Sequence, residues 1–197
     1  MSAIALPAAA RFRRTAFATL ALVFLPWCIA TADTAQFPEY NVKGAFLLNI
    51  AKYAEWPASS FADANAPVVI GILGDDPFGA ALDRIVRGRV INDRKVVVRR
   101  SRRTADLRGA HIVFIGASES DHAPAICANL AEGGTLCVAD AEATAPFSAI
   151  NFSNESGRIV FTVNLAAVRK TNVVISSKLL HLAKSVAGAP MAERKNQ

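Results

Sequence analysis

Val68 to Leu73 is an unbroken apolar run that ends on Gly74-Asp75-Asp76-Pro77 and passes into the helix-patterned stretch Phe78 to Val86. A strand that is apolar at every position has no face for water, so it must lie inside a sheet covered on both sides. Strand, acidic turn and helix open a βα unit, with an acid as N-cap and a proline in the first turn. The pattern repeats: Val90 to Arg100, His111 to Gly116 and Thr135 to Ala139 read as strands, with a helix over Asp121 to Ala131. Further on, Ala149 to Phe152 and Arg158 to Asn164 flank Asn154-Glu155-Ser156-Gly157, and helices are expected over Leu165 to Lys170 and Ile175 to Val186, before a polar, frayed end from Pro190. The expected fold is therefore α/β: a single domain, a mostly parallel sheet covered by helices on both faces, and an antiparallel β-hairpin near the C-terminus.

Ahead of this unit, residues 40–57 carry a nearly all-round apolar helix. On a helical wheel Asn41, Asn49, Lys52 and Glu55 share one polar sector, while Phe46, Leu47, Ile50, Ala51, Tyr53 and Ala54 occupy the rest. Lys43 is the exception, projecting between Leu47, Ile50 and Ala54. Its ammonium must snorkel past the helix start or meet a buried acceptor, and the snorkelling stem with a wet head is the expected arrangement. Trp56-Pro57 is expected to end the helix, because proline disfavours helical geometry in the residue before it. A first helix this apolar has to be covered by the domain or by a partner.

Upstream, Arg11, Arg13 and Arg14 precede the uncharged run Ala16 to Ile29, and Ala30-Thr31-Ala32 offers the small residues of a cleavage site. Residues 1–32 thus read as a cleaved signal peptide and residues 33–197 as one exported domain, with the periplasm as the expected location. The run is short for a membrane span, which leaves an uncleaved anchor as the weaker alternative. Removing residues 1–32 takes away three arginines and no acid, lowering the formal charge from +6 to +3. Cys127 and Cys137 are then the remaining cysteines, and an even count in an oxidising compartment makes a disulfide the default. Cys127 falls on a predicted helix and Cys137 on the following strand, whose different rises need not bring them level. Two buried thiols, or a redox-labile pair, are the alternatives.

Catalysis finds little support. His111, His122 and His181 are scattered, no Gly-x-Ser-x-Gly elbow exists, and no histidine pair has metal-ligand spacing. His111 opens a predicted strand and reads as structural. Asp75 and Asp76 read as a turn and helix cap, and Gly71, Gly74 and Gly79 match neither the dinucleotide nor the P-loop signature. No cofactor and no metal are expected. The segment Arg84 to Arg108 is strongly basic, and Arg99, Arg100, Arg102 and Arg103 follow a valine run at a strand end, where several can converge. They form either a solvated face or a patch for anionic lipid headgroups or an acidic partner. The lack of interleaved aromatics speaks against nucleic acid. For partner binding the first helix and the SSKLLHLAK segment are better candidates, since both carry specific polar residues on apolar elements.

Three blocks coincide with one family: Lys43, Ala45, Phe46, Asn49, Lys52, Trp56 and Pro57; Gly74, Asp76, Pro77, Phe78 and Gly79; and Ile175, Ser176, Ser177, Lys178, Leu179 and Leu180. In this order, across nearly the whole exported chain, they resemble the periplasmic YfiR-like proteins. The resemblance implies a regulator without enzymatic activity that binds the sensor region of an inner-membrane diguanylate cyclase and holds it inactive, lowering cyclic di-GMP and disfavouring biofilm. A homodimer is the expected assembly, and Lys43, Phe46, Asn49, Trp56, Ser176, Ser177 and Lys178 are the expected partner contacts. Two departures stand out. Ala110 replaces a cysteine frequent in relatives, leaving Cys127 and Cys137 as the counterpart of a second disulfide. Gly44 replaces a usual alanine, which costs the helix up to about 1 kcal/mol and permits close packing of another backbone. The alternative function is a small-molecule binding module serving a sensor kinase or transporter, with its pocket at the carboxyl ends of the parallel strands.

Overall fold

The computed structural model describes residues 36–140 and 142–188; the expected leader over residues 1–32 and the polar end from Pro190 lie outside the described residues. Helix α1 (Gln36–Tyr53) passes directly into the two-residue strand β1 (Ala54–Glu55). A 3-10 turn at Ala58–Ser60 leads to β2 (Val68–Leu73), α2 (Ala80–Val86), β3 (Val90–Ile91) and β4 (Arg94–Ser101). A second turn, Thr104–Leu107, is followed by β5 (Ile112–Ile115), α3 (Ala123–Glu132) and β6 (Leu136–Ala139). Then come β7 (Ile150–Glu155), β8 (Arg158–Asn164), α4 (Leu165–Arg169), β9 (Val174–Ile175), α5 (Ser177–Leu182) and β10 (Ser185–Ala187).

One sheet holds eight of the strands in the order β10-β8-β7-β6-β5-β2-β4-β3. Its centre, β7-β6-β5-β2-β4, is parallel, and the β7–β8 hairpin adds the expected antiparallel pair. Val68, Ile70 and Ile72 of β2 point to the face covered by α1, α2 and α5, while Val69 and Leu73 point to the face covered by α3. Burial on both faces is why β2 has no polar position. By contrast β4 buries Val96 and half-buries Val98 but leaves Val97 exposed, because its second face has little cover.

Three boundaries differ from expectation. The helix from residue 40 stops at Tyr53, ahead of Trp56-Pro57, because Ala54 and Glu55 pair antiparallel with Ile175 and Val174. The strand expected over Val90 to Arg100 is instead a hairpin, with Asn92 and Asp93 at φ 49° and 63°. That is the left-handed geometry of a two-residue turn, which these residue types tolerate. The helix expected over Ile175 to Val186 is confined to Ser177–Leu182; Ala183 is extended, and Lys184 N–H donates to the Phe161 carbonyl at 2.8 Å, leading the chain into β10 beside β8.

Candidate partner-binding surface

Lys43 is buried rather than snorkelled, with only 3% of its surface exposed. Its Nζ lies 2.5 Å from Glu39 Oε1, one helical turn earlier, and 2.9 Å from Asp140 Oδ2, just beyond β6. Tyr40 completes the cluster: its hydroxyl donates to Asp140 Oδ2 at 3.0 Å, and its ring sits 4.5 Å from the ammonium. Two carboxylates and a ring face replace the water an ammonium loses on burial, which makes a charge on the apolar face tolerable. Asn154 Nδ2 donates to Glu39 at 2.9 Å and so extends the cluster to the β7–β8 hairpin. The Lys43 hydrogen bond holds the Glu39 carboxyl below its ordinary range; burial opposes it, and the Asn154 hydrogen bond and the Lys43 charge add smaller lowering effects. The cluster ties α1 to the sheet. Asp140 was legible only as an acid following a buried strand, and Glu39 only as the residue four positions before Lys43.

The other expected contacts fall in three places. Phe46 points inward, its ring 5.4 Å from Phe161 and 5.9 Å from Phe152. Asn49 lines a groove of about 390 Å³ between α1 and the β3–β4 hairpin, with Lys52 and Asn92. The groove continues into a cavity of about 330 Å³ lined by Trp56, Phe61 and Arg94, sharing Ile91 and Asn92. Trp56 meets His111 edge-on at 5.4 Å, and its Nε1 is enclosed without a hydrogen-bond partner. Ser176 caps α5 by position alone: its N–H donates to the Tyr53 carbonyl at 2.9 Å, while its Oγ is enclosed and unpartnered.

Ser177 and Lys178 are exposed. One turn on, His181 and Leu182 share the Lys178 side of α5, and Leu182 and the preceding Val174 are 55% and 62% exposed. Sequence reasoning missed Val174, which lies just ahead of the helix expected from Ile175. Among the described residues, then, Asn49 and Trp56 border one groove, Ser177 and Lys178 lie on one exposed strip, and Lys43 and Phe46 build the interior.

The four arginines do not converge. Arg100 is bound by Asp76 at 2.7 Å and Asp83 at 2.9 Å, Arg102 by Asp75 at 2.7 Å, and Arg103 by Asp106 at 2.5 Å. Strand alternation sends Arg99 to the opposite face from Arg100. There its guanidinium reaches only the carbonyls of Asp106 and Arg108, both at 3.5 Å. A single anion patch is thereby replaced by four local ion pairs on three arginines and, among the described residues, one arginine without a carboxylate.

Cys127 and Cys137 are free thiols in this structure, both buried, rather than the expected disulfide. Cys127 is on the inner face of α3 and Cys137 on β6. The two are hydrogen-bonded, which holds the Cys127 thiol below its ordinary range and, with burial, pushes that of Cys137 up. The ligand pocket considered at the carboxyl ends of the strands is occupied by the protein itself between β2 and β5. A Cβ on Gly116 would lie 2.6 Å from the Asp75 carbonyl oxygen, and Asp75 N–H donates to Ser118 Oγ at 3.0 Å.

The domain is of the α/β class, with a buried Lys43–Glu39–Asp140 cluster beneath α1 and an exposed strip on α5. More particularly, the chain belongs to the YfiR/HmsC-like family, whose sequence model matches residues 40–184. No helix among the described residues is long and apolar enough to cross a membrane. No curated protein matches significantly. Among solved structures, the chain is similar to a conserved domain protein from Vibrio cholerae O1 biovar El Tor str. N16961, at 10% identity and a TM-score of 0.49, with 75% of this chain and 60% of that one covered. It is also similar to an ABC domain in complex with L-Trp from Streptococcus pneumoniae, at 9% identity and a TM-score of 0.43, over 60% of this chain and 54% of that one. The chain thus spans less than two thirds of the length of each.

Proposed function

We propose that this protein is a periplasmic repressor that binds the sensor region of an inner-membrane diguanylate cyclase and holds the enzyme inactive. The observation that supports this reading is the family match over residues 40–184. Within the family-like blocks, Ser177 and Lys178 are exposed, and their side chains take part in no hydrogen bond or ion pair among the described residues, so folding does not account for them. The docking strip is α5 together with Val174, an apolar margin around a single lysine. Repression is a population shift: the repressor prefers the inactive arrangement of the sensor and can move the equilibrium only by that difference in affinity.

The test is intracellular cyclic di-GMP in the source bacterium with this gene deleted, then restored with or without residues 1–32. A rise on deletion that only the version carrying residues 1–32 reverses is the expected result. No change on deletion removes the cyclase from the reading.

A further inference from the structure

His111 lies at the amino end of β5 with 4% of its surface exposed. Its Nδ1 accepts the Val69 N–H at 3.0 Å, so the proton of the neutral ring resides on Nε2. That Nε2 is enclosed and meets no acceptor in full hydrogen-bond geometry, the Ser60 backbone beside it giving only a weak contact. The ring is held neutral: burial first, then the Arg94 charge, depress its pKa to about 4, with the Ser60 backbone acting weakly the other way. A buried N–H that is poorly met destabilises the free protein, and an acceptor brought from outside recovers that loss.

The space beside the ring is a cavity of about 280 Å³ whose walls include Phe61, Ala62 and Pro67 and whose rim carries Arg99 and Arg108. Phe61 stacks on His111 with centroids 4.4 Å apart and fixes the ring's orientation. Unlike Arg100, Arg102 and Arg103, neither rim arginine is neutralised by a carboxylate among the described residues. Asp63, the acid of the neighbouring loop, directs its carboxylate to the Asn65 N–H at 2.7 Å. One donor at the base, two unneutralised guanidiniums at the mouth and apolar walls between them select for shape and charge together.

We propose that this cavity binds a small organic carboxylate, its apolar body against Phe61 and Pro67 and its oxygens shared between the His111 Nε2–H and the guanidiniums of Arg99 and Arg108. The site is separate from the α5 strip and stands independently of the cyclase reading.

Benzoate is the probe, with benzamide as its uncharged isostere, titrated at low salt into the purified protein with nitrogen-15-labelled histidine. Benzoate is expected to shift the His111 Nε2 resonance saturably, and benzamide to bind at least tenfold more weakly. Arg99→Gln and Arg108→Gln, both surface changes that leave the core intact, each weaken benzoate about fivefold or more. His111→Asn, whose side-chain oxygen can still accept the Val69 N–H, weakens it about tenfold. A benzoate titration that leaves the His111 resonances unmoved overturns the proposal. So does equal binding of benzamide, or displacement by inorganic phosphate at the same concentration, which would reveal a bare oxyanion patch.

Discussion

At the scale of single residues, two buried titratable groups decide how the protein responds to mutation and to acid. Lys43 holds Asp140 and Glu39 together beneath the helix start. Removing one partner of a buried pair leaves the other charge uncompensated, so Lys43→Met should destabilise by about 3–5 kcal/mol in urea unfolding. Lys43→Met with Asp140→Leu should recover much of that loss, because Asp140, the more buried of the two uncompensated acids, then goes too. His111 governs the pH response. Its folded pKa, about 4, lies below the ordinary 6.5, so the unfolded chain binds more protons between those values and stability rises with pH across that window. The contribution is fully present above about pH 6.5 and is lost as the pH falls towards 4; allowing for screening on the cavity side, it amounts to about 2 kcal/mol. Below that window the lowered Glu39 carboxyl loses its own contribution in the same direction. Urea midpoints measured at pH 7 and pH 5 should differ clearly for the natural protein and much less for His111→Asn. Neither residue's role was fully readable from the sequence. Helical spacing put Lys43 on the apolar face, but the more buried of its two acceptors lies ninety-seven positions away, beyond β6.

At the scale of elements, two glycines show how backbone approach differs from side-chain approach. A Cβ at Gly44 would meet Ile85 Cδ1 at 2.9 Å, the far end of a flexible side chain on α2. A Cβ at Gly116 would meet the carbonyl oxygens of Asp75 and Leu73 at 2.6 Å and 2.9 Å, which cannot turn aside. Gly44→Ala should therefore stay within about 1 kcal/mol of the natural protein in a thermal melt, since helix propensity offsets the crowding. Gly116→Ala should destabilise by about 1–3 kcal/mol as the β2 and β5 loops are forced apart. The thiols of α3 and β6 form a second such junction. Diamide should close a Cys127–Cys137 bridge and, if unstrained, raise stability by about 2–3 kcal/mol, reversed by dithiothreitol. Serine at either position removes the response, and an unchanged melting temperature after diamide argues against a redox role. The strands that were legible from sequence are those buried on one or both faces, β2, β5, β6 and the β7–β8 pair, because burial writes itself into composition. The missed strands β1, β9 and β10 have only two or three residues each and are fixed by pairing with a distant partner, while the two-residue β3 was merged with its hairpin partner β4. Val174 of β9 is 62% exposed and Val186 of β10 is partly exposed at 37%, so no buried alternation announces those strands.

At the scale of the whole molecule, the family-like blocks divide into residues that build the fold and residues that remain for a partner, a division invisible in a one-dimensional motif. Lys43, Phe46 and Leu179 serve the interior, Asp76 is taken up by Arg100, and Ser177 and Lys178 face outward. The basic segment is subject to the same division: a charge-rich stretch looks like one patch until ion pairing neutralises most of it. A docking surface on α5 should then be sensitive to charge reversal there and indifferent to charge reversal among the paired arginines. Lys178→Glu combined with Leu182→Asp, both at exposed positions, should leave the melting temperature within a few degrees of the natural value. The same pair should raise intracellular cyclic di-GMP to the level of the gene deletion and weaken binding to the isolated periplasmic sensor region of the cyclase at least tenfold, because a buried anchor and its charge are lost together. Arg102→Glu, whose partner Asp75 lies at the far turn, should change neither reading. If the α5 variant represses normally while Arg102→Glu does not, the docking surface belongs on the loop side of the sheet and the α5 assignment is wrong.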